Sequence, residues 1–119
     1  MDLEVIRKYC FKKKGVWEDF PFDDVTMVIK VGSKMFALIS LDKQPLRMNL
    51  KCDPFVAQGL RVKYKAVIPG YYMNKEHWNT IILDGSIPDK VVFGMIDDSY
   101  ELVFKGLKKS EKEKIKENL

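Results

Sequence analysis

From Leu46 to Cys52 apolar and polar residues alternate without a break: Leu46, Met48, Leu50 and Cys52 are separated by Arg47, Asn49 and Lys51. Successive side chains of a strand point to opposite faces, so this stretch has one face for a core and one for water. Asp53-Pro54 follows at once, a capping residue with proline at the first helical position, so the strand hands over to a helix. A chain built around such a unit needs a sheet covered by helices on one side.

The other segments fit that plan. Asp2 is placed to cap a first helix over residues 3–14, with Leu3, Ile6 and Cys10 at helical spacing and Lys12–Lys14 at its negative end. Trp17–Asp24 reads as a connection anchored by Trp17, Phe20 and Phe22. Val25–Val31 has strand periodicity, Gly32-Ser33 is a hairpin turn signal, and Lys34–Leu41 reads as the returning strand. A two-residue loop then sets Phe36 and Leu38 on one face with Ile29 and Met27, and Lys30, Met35, Val28 and Ala37 on the other. The helix after Asp53 is expected to carry Phe55, Val56, Leu60 and Val62 and to end near Tyr64. Ala66–Met73 contains Pro69-Gly70, which limits it to a broken or edge strand. Trp78–Leu83 is the next strand. Pro88 opens a long helix to about Leu107, and Ser110 with Glu113 forms a capping-box pattern for a last, polar helix that is expected to fray.

The order is α-β-β-β-α-β-β-α. Tight turns between alternating strands make the sheet antiparallel, so the expected fold is an α+β two-layer sandwich of about five strands with helices on one face. Residues 1–107 form its single domain and 108–119 a polar, basic helical tail. A chain of 119 residues suits one domain, and 46% hydrophobic with 12% aromatic residues excludes disorder. No apolar run approaches the ~20 residues of a membrane helix. Met1–Gly15 scatters charges among apolar residues, unlike a secretion signal, and Cys10 and Cys52 make no disulfide framework. A cytoplasmic setting with reduced thiols is the expectation.

The net charge is +4, and the excess lies at the ends. Arg7, Lys8, Lys12, Lys13 and Lys14 stand against Asp2 and Glu4 at the start, and residues 105–119 hold six lysines against three glutamates. The stretch between is slightly acidic, a weak footprint for a dedicated nucleic-acid binder.

Parts for catalysis are scarce. His77 is the single histidine, and Cys10, Cys52 and His77 lack ligand spacing, so neither a zinc site nor a cysteine nucleophile is indicated. The acidic pairs Glu18-Asp19, Asp23-Asp24 and Asp97-Asp98 lack the spacing of a calcium loop, and Gly32 and Gly70 form no phosphate loop. No enzyme activity, cofactor or metal is expected. Two surfaces remain. In Tyr71–Asn79 two tyrosines, His77 and Trp78 flank Asn74 and Lys75, a set able to stack on bases and meet phosphate. Buried packing is the competing role for Tyr72 and Trp78. The wet strand faces put Lys30, Arg47, Asn49 and Lys51 on one open sheet face, with Val28, Met35 and Ala37 between them.

Several spaced motifs then carry a resemblance. Pro21-Phe22, Lys30–Ala37, Leu50–Pro54, Pro69–Lys75 with His77–Asn79, Leu83–Gly85 and Ser99-Tyr100 with Leu102-Val103, in that order, resemble the MmcQ/YjbR family of small bacterial proteins. The resemblance implies a compact α+β domain similar to frataxin-like proteins and type III secretion chaperones. It also implies a DNA-binding "double wing" of two hairpins, here Val25–Leu41 with Lys34 at its tip and Ala66–Leu83 with Lys75 at its tip. Lys34, Asn74, Lys75, His77 and Trp78 are the matching motif positions. The iron-binding acidic ridge of frataxin-like proteins has no counterpart in the basic first helix. The leading expectation is DNA binding of low sequence specificity, with phosphates gripped by Lys34, Lys75, Arg47 and Lys51. The alternative is a protein-interaction module that takes a partner on the open sheet face.

Overall fold

A computed structural model describes residues 1–117. Among them the chain forms α1 (Leu3–Phe11), β1 (Val16–Asp19), β2 (Thr26–Val31), β3 (Lys34–Ser40), β4 (Arg47–Lys51), α2 (Pro54–Lys63), β5 (Val67–Pro69), β6 (Trp78–Ile82), α3 (Asp89–Lys105) and α4 (Lys109–Glu117). The strands make one antiparallel sheet in the order β1-β2-β3-β4-β6-β5. Helices cover one face and leave the other open, so the α+β two-layer architecture stands, with a sixth strand in addition and the expected last helix present as α4.

The added strand is β1. Val16–Asp19 lies inside what reads as a connection, yet it pairs along β2 from Val16 opposite Val31 to Asp19 opposite Val28. Trp17 stays exposed, with its indole N–H donating to the Gly32 carbonyl at 2.8 Å.

A core of Ile6 and Cys10 from α1, Met27, Ile29, Val31, Ile39, Met48 and Leu50 from the sheet, and Val92, Met95, Ile96, Tyr100 and Val103 from α3 joins the layers. Each such aliphatic side chain, fully buried, contributes roughly 1.5–3 kcal/mol. Ser99 ties α3 to two strands: its hydroxyl donates to the Phe36 carbonyl at 2.6 Å and accepts from the Lys51 amide at 2.9 Å. Asp97 accepts from the Tyr9 hydroxyl at 2.8 Å and from Lys13 at 2.5 Å, so it fastens α1 to α3. Cys10 and Cys52 are buried free thiols, and burial pushes the Cys10 thiol up to about 12.

The hairpin differs from simple alternation. Ile29 pairs with Ala37 but Lys30 pairs with Met35, which leaves Phe36 as an extra residue on β3. Such a bulge changes which residues share a face. Phe36, Ala37 and Ile39 therefore belong to the helix-side core, and Leu38 turns to the open face beside Val28. Leu38 and Ala37 thus exchange the faces expected of them.

Two helices also depart from expectation. In α2 only Ala57 is buried, with Leu60 partly so, while Phe55 and Val62 are 86% and 89% exposed. In α4 Ser110 lies within the helix rather than at its cap. Its Glu111 accepts from the Ser33 amide at 2.9 Å and the Ser33 hydroxyl at 2.5 Å, and Ile115 packs against Gly15 and the core edge.

Candidate functional site

Cross-strand partners share a face, so the register lays out the open one. Thr26, Ser40, Arg47 and Ile82 form one row, and Val28, Leu38, Asn49 and Thr80 the next. Lys51 lies opposite Trp78 beyond them. The apolar part of this face is already covered: Val28, Leu38 and Trp78 are buried together, with Met35 and Met73 against them. Toward β1, Lys30 is spent on Asp19, 3.1 Å away, and on the Trp17 ring, 4.9 Å from its centroid.

What stays accessible is polar and aromatic. After β5 the chain folds back across the open face, and a small network holds it there. The Tyr71 amide donates to the Thr80 hydroxyl at 2.9 Å, the Asn49 amide group donates to the Tyr71 carbonyl at 3.3 Å, and the Thr80 hydroxyl donates to the Asn49 carbonyl oxygen. Asn49 and Thr80 thus clamp both backbone groups of Tyr71. The fold-back needs Gly70, where a Cβ would lie 2.8 Å from both the Trp78 Cβ and its carbonyl oxygen. It also forces Tyr72 to a φ of 62°. A bulky residue in this left-handed region costs about 1–2 kcal/mol, and such strain concentrates at functional sites. The tyrosine rings stand 4.2 Å apart and are 56% and 87% exposed.

These rings wall a cleft of about 560 Å³. Its floor is Thr26, Ser40, Arg47, Asn49 and Thr80, and Phe22, 65% exposed, stands with Asp23 and Lys43 on the rim. Burial pulls the Asp23 carboxyl upward, but bonds from the Thr26 hydroxyl and from the Thr26 and Val25 amides more than offset it. Asp23 is therefore an ionised group already occupied by its own loop. Arg47, half-buried, forms no ion pair with a described residue.

The residues singled out from sequence divide into four groups. Arg47 and Lys51 do share the open face with Asn49. Asn74, Lys75 and His77 form a turn immediately before β6, with Lys75 exposed and His77 half-buried. Asn74 shapes that turn, its side chain accepting from the Glu76 amide at 2.9 Å. Trp78 is a packing residue, 9% exposed. Lys34 stands apart: its ammonium donates to the Gly106 carbonyl at 3.0 Å, at the C-terminal end of α3.

Sequence reading missed Phe22 and Thr80 as cleft residues, and it missed Arg61. The Arg61 guanidinium reaches from α2 to the Asn79 carbonyl oxygen at 2.7 Å, to the Trp78 carbonyl at 3.3 Å and to the Lys75 carbonyl, which fixes the turn before β6. The available signal was Pro69-Gly70 followed by two tyrosines, a chain reversal that delivers aromatic side chains to a surface.

The fold and cleft define an α+β sheet domain with a solvent-facing groove on its open sheet face. The chain belongs to the YjbR family, whose family model matches residues 11–102. It is 33% identical over 101 residues to the uncharacterized protein YjbR of Escherichia coli K12, covering 85% of this chain and 86% of that one. It is 38% identical over 55 residues to the uncharacterized protein YyaQ of Bacillus subtilis, 46% of each. The crystal structure of DR2400 from Deinococcus radiodurans superposes with a TM-score of 0.90 at 38% identity, over 95% of this chain and 86% of that one. A Pseudomonas syringae protein follows with a TM-score of 0.74 at 29% identity, over 86% of this chain and 98% of that one.

Proposed function

We propose that this chain is a nucleic-acid-binding module of low sequence specificity that takes a single strand on the open face of its sheet. One observation carries the reading: a guanidinium without a carboxylate partner among the described residues shares a groove with three exposed aromatic rings. Stacking on Phe22, Tyr71 and Tyr72 serves any base but needs bases that are unpaired, which favours single strands over duplex. Arg47, Lys43 and Lys51 meet phosphates, and Lys75 extends the basic track beyond the groove. Lys34 contributes least, because Gly106 already holds its ammonium.

The aliphatic part of the open face is closed to a protein partner, since Val28 and Leu38 are buried under the chain's own Trp78, Met35 and Met73, and the exposed apolar surface there is the three aromatic rings. The test is a salt titration with a labelled mixed-sequence single strand and its duplex. Three to four phosphate contacts on a single strand predict a slope of log K against log salt of roughly −2 to −3. Tighter binding of the duplex, or no binding of either in low salt, overturns the reading.

A further inference from the structure

We infer that Asn79 and Asp98 hold one internal water molecule on the helix side of the sheet, and that this water steadies the side chain on which Arg61 rests. Asn79 is 1% exposed, and the two ends of its amide differ in what they meet. The oxygen accepts from Arg61 at 2.7 Å. A guanidinium only donates, so this bond settles which end is oxygen and leaves the NH2 group turned away from Arg61. That nitrogen is buried and has no partner among the described residues. A buried donor left unpaired is costly, and folded proteins satisfy nearly all such groups with protein atoms or ordered water.

The surroundings select the occupant. Asn79 lines a small cavity in which Leu60 and Ile81 bring no polar atom, and the acceptors come from Cys52 and Asp98. The cavity measures about 10 Å³, room for one water and for no larger ligand. A water there accepts from the Asn79 NH2 group and donates to the Asp98 carboxylate, with the Cys52 sulfur as a weak second acceptor. Cys52 and Asp98 also line the surface cleft between α2, α3 and α4, which gives the water a way in and out. The water thus joins β6 to α3. Through Asn79 it also supports Arg61, whose remaining donors hold the carbonyls of Lys75 and Trp78.

The test is a nuclear Overhauser measurement between water and the Asn79 side-chain amide protons of the full chain, together with a high-resolution crystal structure. The wild type is expected to show a cross-peak with the sign of a bound water, and a water oxygen about 2.7–3.2 Å from Asn79 Nδ2. Cys52→Val thickens the wall of so small a cavity and is expected to expel the water. The cross-peak is then lost, amide exchange at Lys75 and Trp78 quickens, and the thermal midpoint falls by about 3–6 °C because the NH2 group is left unpaired. Filling a dry cavity has the opposite sign and stabilises. Three outcomes overturn the inference: a wild type without the cross-peak, an Asn79 nitrogen bonded directly to a protein atom, or a Cys52→Val midpoint above that of the wild type.

Discussion

Two turns stand at the same end of the sheet, one at Gly32-Ser33-Lys34 and one at Asn74–His77, and in sequence they look alike. Each is polar and each carries a lysine. In the fold their situations differ. The first is tied down by residues more than 70 positions away, with Glu111 on Ser33 and the Gly106 carbonyl on Lys34. The second is held from behind, by Arg61 on its backbone carbonyls, and leaves Lys75 exposed. A tip residue is available to a ligand only when distant parts of the chain do not claim it, and that is a property of the tertiary contacts.

Trp78→Ala empties the covered part of the open face and should lower stability by about 3–5 kcal/mol in urea unfolding. Arg61→Ala leaves the buried Asn79 carbonyl oxygen without its donor, and about 1–3 kcal/mol should follow. Thermal denaturation checks it, together with faster amide exchange in the turn before β6.

Tyr72→Gly should move stability and binding in opposite directions. Glycine adopts a φ of 62° freely, so stability should hold or rise by up to about 1 kcal/mol, while single-strand affinity falls roughly tenfold. A variant that loses affinity only in step with stability would contradict a binding role for that ring.

The latched turn should be sensitive to acid. Bonds from the Ser33 hydroxyl and amide hold the Glu111 carboxyl below its ordinary value of 4.5. A carboxyl depressed in the folded state stabilises fully above its unfolded value and less as pH falls through the folded one. Docking of α4 should therefore persist at neutral pH and weaken below about 4.5, and Glu111→Gln should remove that pH dependence. The Ser33 amide signal in an NMR pH titration reports it. Smallest of all, Lys34→Ala should change single-strand affinity less than twofold, and less than Lys75→Ala does.

Much of this architecture was legible in the residues. The alternation of Leu46–Cys52 and the Asp53-Pro54 start gave β4 and α2, and Gly32-Ser33 gave the hairpin. β1 was hidden because Val16–Asp19 has only one apolar residue facing the core, so its strand character comes from pairing with β2. The bulge at Phe36 was invisible for a related reason: strict period-two counting has no place for an extra residue, and counting through it turned Leu38 and Ala37 to the wrong sides. In the candidate site the Tyr71–Asn79 segment was legible as chemistry but not as geometry. Which of Tyr72 and Trp78 is buried depends on the reversal at Gly70 and on Asn49 and Thr80, whose clamp joins three separate stretches of chain.

The most direct test of the central claim is an amide NMR titration of the full chain with a short mixed-sequence single strand. Shifts are expected to gather at Arg47, Asn49, Tyr71, Tyr72 and Thr80, with smaller ones at Lys75 and none beyond noise at Ser33 and Lys34. Shifts centred on Ser33, Lys34 and α4, with the cleft silent, would contradict it.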